Sequence, residues 1–310
     1  MKEERFIAKQ VEDIRREVGS GIAINALSGG VDSSAVTVLA HRALGDQLKT
    51  IFVDNALMRE GEPERVLSVF AKMKIPVERI DARRQFLRAL KGLTDPEEKR
   101  EAITQTFYRD VFVKAVKSSR ATFLLHGTIL TDIEETVAGI KRQHNILEQV
   151  GIDPQKVYGY RVLEPLKTLR KDGVRKVARV LGLPRSITER IPFPGPALAT
   201  RIVGEVTKKR LDTVRAATCI VEEELARTGA FQYFAVLLND YATGIRNGKR
   251  EFGEIIVVRC IDSKDARTAR VRALPWTKLH RLARRITAIP GVNRCVYDLT
   301  PKPPATVEYV

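Results

Sequence analysis

Apolar residues at helical spacing (Phe6, Ile7, Val11, Ile14 and Val18) predict a helix over residues 3–18, ended by Gly19 and Gly21. The period then changes. The apolar run Ile22–Leu27 reads as a buried strand, Ser28–Asp32 as a loop and Ser33–Leu44 as a helix. The alternation continues with a strand at 48–53 (LKTIFV), a helix over Glu62–Met73 and a third strand at Pro76–Asp81. A long helical region spans Asp95–Lys117, and its Asp95-Pro96-Glu97 start suits a capped N-terminus. ATFLLH at 121–126 is a fourth strand, and Asp172–Leu181 a further helix ended by Gly182. Short apolar strands alternating with helices predict an α/β fold on a parallel sheet with both faces covered. Ligands of such sheets bind beyond the carboxyl ends of the strands. Four polar clusters fall there: Ser28–Asp32, Asp54-Asn55, Asp81 and Gly127–Asp132.

Gly139–Pro154 interrupts the alternation, and its cations fit either a mobile loop near phosphates or an ordinary surface connection. IPFPGPALATR (191–201) carries three prolines and a glycine, so it suits neither a helix interior nor a central strand. The domain junction is placed here, giving domains 1–195 and 196–310. Thr207–Arg227 reads as a long helix, Phe231–Leu238 and Glu254–Cys260 as strands, Trp276–Ile289 as a helix, and Val292–Leu299 and Ala305–Val310 as short strands. The second domain is therefore expected to be a small α+β unit.

A chain of 310 residues, 44% hydrophobic and 30% charged, has the balance of a soluble two-domain protein. No apolar run reaches the ~18 residues of a membrane helix, and the N-terminus has no signal-peptide core, which points to the cytosol. Three scattered cysteines, Cys219, Cys260 and Cys295, argue against a disulfide framework, and four dispersed histidines against zinc. The net charge of +16 suits a nucleic-acid partner or several polyanionic small molecules. Many of the cations sit beside acids at helical spacing, the pattern of a solvated face.

Ser28-Gly29-Gly30-Val31-Asp32-Ser33-Ser34 lies between a strand and a helix N-terminus, yet lacks the lysine of the common phosphate loop. Two glycines permit positive φ and close backbone approach, and the helix end favours an anion. Asp32 beside a phosphate would repel it unless a cation intervened, which implies Mg²⁺. A simple N-cap with serine and aspartate is the alternative reading of the same residues.

SGGVDSS resembles the pyrophosphate loop of the N-type ATP pyrophosphatases, which transfer AMP to a carbonyl oxygen and release pyrophosphate. FVDNALMR (52–59), GTILTDIEET (127–136), LEPLKTLRKDGVRKVARVLGLP (163–184), PFPGPALATRIVGEV (192–206) and VYDLTPKPPATVEY (296–309) are similar to the GMP synthase family, in order along nearly the whole chain. The resemblance implies a parallel-sheet, adenine-nucleotide hydrolase-like ATP-pyrophosphatase domain followed by an α+β dimerisation domain. It implies ATP, XMP and ammonia as substrates and Mg²⁺ as cofactor. No cysteine sits in a G-x-C-x-G nucleophile elbow, so ammonia is expected from a separate glutamine amidotransferase subunit.

On this resemblance Ser28, Gly29, Gly30, Val31, Asp32, Ser33 and Ser34 hold the pyrophosphate, and Asp32 and Asp132 the metal. Val53 and Leu57 line the adenine site or are plain core, and Gly127 allows close approach there. Lys141, with His144 and Asn145, matches the family's lid segment. Lys167 stabilises the α-phosphate or pairs with Glu164. Arg201, Arg250, Lys302 and Glu308 are the XMP candidates, expected between the two domains, and Lys302-Pro303-Pro304 alone also reads as a surface turn. A homodimer is expected. Ala56, Ala197 and Ala199 stand where the family has glycine, Gly248 where it has aspartate, and Leu130-Thr131 replaces a polar or proline pair. A tRNA-modifying ATP pyrophosphatase is the rival reading, favoured by the charge.

Overall fold

The computed structural model describes residues 2–137, 159–264 and 267–309. Two compact units divide the chain: residues 1–54, 63–82 and 104–190 form the first, and 55–62, 83–103 and 191–310 the second. The chain thus enters the second unit twice before the proline-rich junction.

The first unit begins with helix α1 (Lys2–Val18), strand β1 (Ala23–Ala26), helix α2 (Val31–Leu44), strand β2 (Leu48–Asp54), helix α3 (Glu62–Lys72) and strand β3 (Glu78–Asp81). Helices α4 (Arg83–Ala89) and α5 (Pro96–Gln105) follow, with residues 83–103 belonging to the second unit, and a π-helical segment of the first unit, Thr106–Phe112, joins α5 to α6 (Val113–Ser119). Asp95 caps α5, its Oδ1 accepting from the amides of Glu97 and Glu98 at 2.8 and 3.0 Å, with Pro96 in the first helical position. Strand β4 (Phe123–Leu125), helix α7 (Leu130–Val137), strand β5 (Arg161–Leu163), and helices α8 (Lys171–Val180) and α9 (Arg185–Thr188) complete it. All four expected strands are present. The fifth, β5, was not expected. The sheet is wholly parallel, in the order β3-β2-β1-β4-β5. Its centre is apolar and sealed, with Ile24, Leu39 and Phe52 inaccessible to solvent.

In the second unit, helix α10 (Lys208–Leu225) precedes strands β6 (Gln232–Arg246) and β7 (Lys249–Asp262). These form a hairpin far longer than the two short strands expected. Its turn is Asn247-Gly248, with φ of +52° and +74°, between the paired Arg246 and Lys249. Two positive φ values are what a tight two-residue hairpin turn needs, so Gly248 is here a turn residue. Strand β8 (Arg270–Val271) pairs antiparallel with β7; helix α11 (Trp276–Thr287) and strand β9 (Val292–Tyr297) follow, β9 lying parallel to β7. Phe234, Val236 and Val257 pack the core of this sheet.

The expected strand at 305–310 is not present over the described residues 305–309, which are bends and irregular chain. Buried Arg259 explains it. Its guanidinium takes the carbonyls of Thr300, Thr306 and Val307 at 2.9, 2.7 and 3.2 Å and pairs with Asp298. Those carbonyls are then lost to any β ladder. No helix among the described residues is long and apolar enough to cross a membrane.

Lys99 and Arg210 hold the segment after the prolines. Lys99 Nζ donates to Ile202 O at 2.8 Å, and Arg210 to the carbonyls of Val203, Glu205 and Leu238 at 2.8, 2.7 and 2.7 Å. Burial, reinforced by the Arg210 charge, lowers the Lys99 pKa to about 8 from 10.5. Below pH 8 folded and unfolded chains both hold this proton, and the cost of the buried cation is fully present. Between 8 and 10.5 the unfolded chain holds more protons, so this site adds stability as pH rises. Urea unfolding from about pH 7.5 to about 10 is expected to show the wild type gaining on Lys99→Met. A constant difference between them would contradict a buried lysine cation.

Candidate functional site

From β1 the chain winds outward through β2 and β3; it then returns to β4 on the other side of β1 and continues to β5. The strand order therefore reverses between β1 and β4, and a crevice opens at their carboxyl ends. The loop leaving β1 is Leu27–Gly30, and the one leaving β4 contains Gly127. A Cβ at Gly127 would stand 3.3 Å from Ser33 N and 3.5 Å from Asp32 Cβ, so the loop after β4 packs closely against the first turn of α2 and a side chain there would be tight. A buried polar chain ties this end together: Thr50 Oγ1 donates to Asn25 Oδ1 (2.8 Å), Asn25 Nδ2 to Thr37 Oγ1 (2.6 Å) and Thr37 Oγ1 to Ser33 O (2.8 Å). Nothing in the apolar period of the strand pointed to Asn25.

Gly29 turns the chain at φ +78°, and α2 starts after Gly30 with no side-chain cap. The simple N-cap reading is therefore not what the loop does. The amides of Val31, Asp32 and Ser33 open the helix and have no partner in its own ladder. Ser28 and Ser33 instead close a ring on the loop. Their hydroxyls lie 2.9 Å apart, Ser33 Oγ donates to Gly30 O (3.2 Å) and accepts from Ser28 N (3.1 Å). Gly30 N–H reaches Ser28 Oγ only at 3.4 Å, a weak bond. Ser34 is fully buried, and its hydroxyl has no hydrogen-bond partner among the described residues.

Asp32 is divided between two environments. Its Oδ2 pairs with Lys171 Nζ at 2.5 Å, while the buried Oδ1 has no hydrogen-bond partner among the described residues. Lys171 begins α8, 139 residues along the chain, and sequence reading missed it. Arg190, just beyond α9, was also missed; it donates to Gly29 O at 3.0 Å. Asp132 Oδ2 accepts from the amide of Ile129 at 3.2 Å. No cluster of three or more histidine, cysteine or acidic residues is arranged to hold a metal among the described residues. Any ion here would rely on a bound anion for most of its ligands. Lys167 is exposed, and the Glu164 carboxylate accepts instead from Thr128 Oγ1 at 2.6 Å, with His126 Nδ1 2.8 Å from that hydroxyl. Lys141, His144 and Asn145 lie outside the described residues. Val53 is buried in β2 of the first unit; Leu57, equally buried, belongs to the second.

Arg201 and Glu308, both XMP candidates, meet in the second unit. Two hydrogen bonds of 3.3 and 3.2 Å join them, and Gln232 Nε2 adds a third to Glu308 at 2.5 Å. Arg201 is 1% exposed and sits over the rings of Phe193 and Phe234, 4.9 and 4.4 Å from their centroids. Burial lowers its pKa and Glu308 offsets part of that shift. Lys302 bonds Ala269 through its backbone, N–H and carbonyl both. Arg250 stands apart. It lies beside the hairpin turn, opposite Ile245, whereas Gln232 is at the other end of β6. Thirteen residues of strand separate those ends by on the order of 40 Å.

The family models for NAD synthase and for the GMP synthase C terminal domain match residues 2–201 and 220–309. The B subunit of GMP synthase (glutamine-hydrolyzing) from Archaeoglobus fulgidus is 51% identical over 310 residues, all of both chains. This chain belongs to the GMP synthase B-subunit family. Relatives of the same name from Methanosarcina barkeri and Thermococcus kodakarensis are 49% and 47% identical; they cover 100% and 99% of this chain and 99% of their own. The parallel sheet with its glycine loop is the N-type ATP-pyrophosphatase fold of this family.

Family membership makes the loop's geometry a constraint on sequence. A Cβ at Gly29 would lie 2.7 Å from Val66 Cγ2 at a left-handed φ. Gly29→Ala is expected to cost about 2 kcal/mol of stability, strain and overlap together. In a double-mutant cycle Val66→Ala should recover the overlap part and leave the φ part. Additive losses in calorimetric melts would show that Val66 does not confine the loop.

Proposed function

We propose that this chain is the ATP-pyrophosphatase subunit of a two-subunit GMP synthase. The observation that carries the reading is the full-length match to relatives of that name, on a chain whose lysine-free glycine loop stands at the switch point of the sheet. The C2 oxygen of XMP attacks the α-phosphorus of ATP, the bond to the bridging oxygen breaks, and pyrophosphate leaves. Ammonia then adds at C2, AMP departs with the electron pair of its C–O bond, and GMP results. A poor leaving oxygen has become a phosphate ester, and water must be kept out or the adenylate hydrolyses.

The amides of Gly30 to Ser33 and the hydroxyls of Ser28, Ser33 and Ser34 take the departing pyrophosphate. A loop that grips a leaving group needs no lysine to draw a phosphoryl group forward. Asp32 and Asp132 are the residues we assign to Mg²⁺. The Oδ1 of Asp32, which has no hydrogen-bond partner among the described residues, suits it, because Mg²⁺ is commonly held by one or two carboxylates together with phosphate oxygens. Bound there, the ion would neutralise charge on the leaving group. Lys171 orients Asp32 and reduces its repulsion of the incoming anion. Exposed Lys167 is free to reach the α-phosphate, with Lys141 assigned to the same step. Val53 and Gly127, both of the first unit, are assigned to the adenosine end. Arg201, Lys302 and Glu308 are assigned to XMP: Glu308 accepts from purine N–H groups, and the cations suit its phosphate.

Ammonia comes from a separate glutamine amidotransferase subunit. Burial pushes the thiols of Cys260 and Cys295 up to about 11 and raises that of Cys219, whereas a nucleophilic cysteine needs the opposite shift. The same observation disfavours a tRNA-thiolating chemistry. We place the protein in the cytoplasm. A homodimer is also part of the proposal: Tyr241, Ile245 and Phe252 are exposed along the outer half of the hairpin, which makes an apolar surface for a second copy. Arg250, beside that turn, would then serve a partner's site.

With ATP, XMP, Mg²⁺ and ammonium alone, AMP, pyrophosphate and GMP are expected in equal amounts. Asp32→Asn should lower turnover about 100-fold or more with the fold retained in circular dichroism. Pyrophosphate release that needs tRNA and ignores XMP would reject the reading. In sedimentation equilibrium the wild type should run as a dimer and Phe252→Asp as a monomer; a monomeric wild type at micromolar concentration would reject the dimer.

A further inference from the structure

We propose that Arg190 is a positioning residue that aims the Gly30 amide at the departing pyrophosphate. The inference rests on the ATP-pyrophosphatase reading. Arg190 is the last residue of the first unit, and its guanidinium donates to Gly29 O at 3.0 Å across 161 residues of sequence. The peptide between Gly29 and Gly30 is planar and trans, so its carbonyl and N–H point in opposite directions. Fixing the Gly29 carbonyl on one side therefore fixes the Gly30 N–H on the other. That amide now makes only the 3.4 Å bond to Ser28 Oγ and is the one most readily given up to an anion.

Gly29 has no side chain to hold this peptide, and its φ of +78° is a conformation that glycine leaves easily. The anchor must come from outside the loop. Arg175 of α8 reaches the backbone carbonyl of Arg190 at 3.4 Å, a weak contact beside its main chain. A Cβ at Gly29 would also approach Arg190 Nη1 to 3.4 Å, so the guanidinium closes one wall of the turn. Arg190 thus acts through Gly29 on the amide beside it, with no contact to the purine or the ribose required.

The test compares wild type with Arg190→Met, Arg190→Gln and Arg190→Lys. Binding of pyrophosphate and of AMP, each with Mg²⁺, is measured by calorimetry; KM for ATP and kcat are measured with XMP and ammonium. Arg190→Met is expected to weaken pyrophosphate binding and raise KM for ATP about tenfold, with AMP affinity and kcat little changed. Arg190→Gln and Arg190→Lys keep an N–H donor for the carbonyl and should recover most of the loss. The inference fails if Arg190→Met binds pyrophosphate like the wild type. It fails equally if AMP and pyrophosphate weaken in parallel, which marks a general structural loss, or if the glutamine and lysine variants fall as far as methionine. A wild type that binds no pyrophosphate and forms no GMP overturns the functional reading itself, a result distinct from variants failing beside an active wild type.

Discussion

The first turn of α2 begins at a glycine with no capping side chain, and the crevice is arranged around its unused amides. A helix start satisfied by serine or aspartate would be more stable alone, by about 1 kcal/mol. Here the serines that could cap it bond across the loop instead, Ser28 to Ser33 and Ser33 to Gly30 O. The helix dipole therefore meets the crevice undiminished, at the place where the strand order reverses. On the proposed function, topology supplies the position, glycine the close approach, and the missing cap the affinity for an anion.

Charge near the loop is balanced in a way that would suit the anion the proposed function places there. Asp32 would oppose a polyphosphate, and Lys171 offsets it at 2.5 Å without touching Oδ1. Arg190 adds a second cation on the far side of the Gly29 peptide. Both come from the region after β5, so the loop after β1 depends on residues well over one hundred positions away. The chain's overall charge of +16 says little about this arrangement. A few placed cations, each with a named partner, carry the electrostatics of the site.

Local signals were legible and distant partners were not. β1 to β4, α2 and the glycine loop followed from apolar runs, helical spacing and turn residues, because each is determined within a dozen residues. β5 has only Arg161–Leu163, too short for any period, and gains its place by pairing with β4. The outer half of the hairpin carries only Tyr241, Ile245 and Phe252 as large apolar residues, spaced among polar residues and glycines, and falls between the two expected strands, although Asn247-Gly248 is the local signal that could have found it. At the C-terminus the apolar residues suggested a strand, but Arg259 had already engaged the carbonyls. Lys171 and Arg190 looked like two more cations in a basic stretch, and only the fold shows which acidic or carbonyl oxygen each one meets.

Two alanines carry a backbone conformation that favours glycine. Ala56 and Ala197 stand where glycine was expected, and both keep a left-handed backbone, with φ of +66° and +56°. Each costs about 1–2 kcal/mol relative to an unstrained residue, so the surrounding contacts must impose the conformation. They do so from both sides. Arg215 donates to the carbonyls of Ala56 and Met58, and Leu198 N–H donates to Leu57 O, which pins the first turn to the second. Ala197 N–H donates to Pro194 O at 2.9 Å, and Thr200 Oγ1 donates to Ala197 O at 3.0 Å. Both turns lie in the second unit, and the hydrogen bond between Leu198 and Leu57 makes them one structure. These hydrogen bonds run through backbone groups that alanine and glycine share, so they hold both left-handed turns with alanine in place. Gly29 has no such freedom: there a methyl group would strike Val66, and the constraint is space as well as φ.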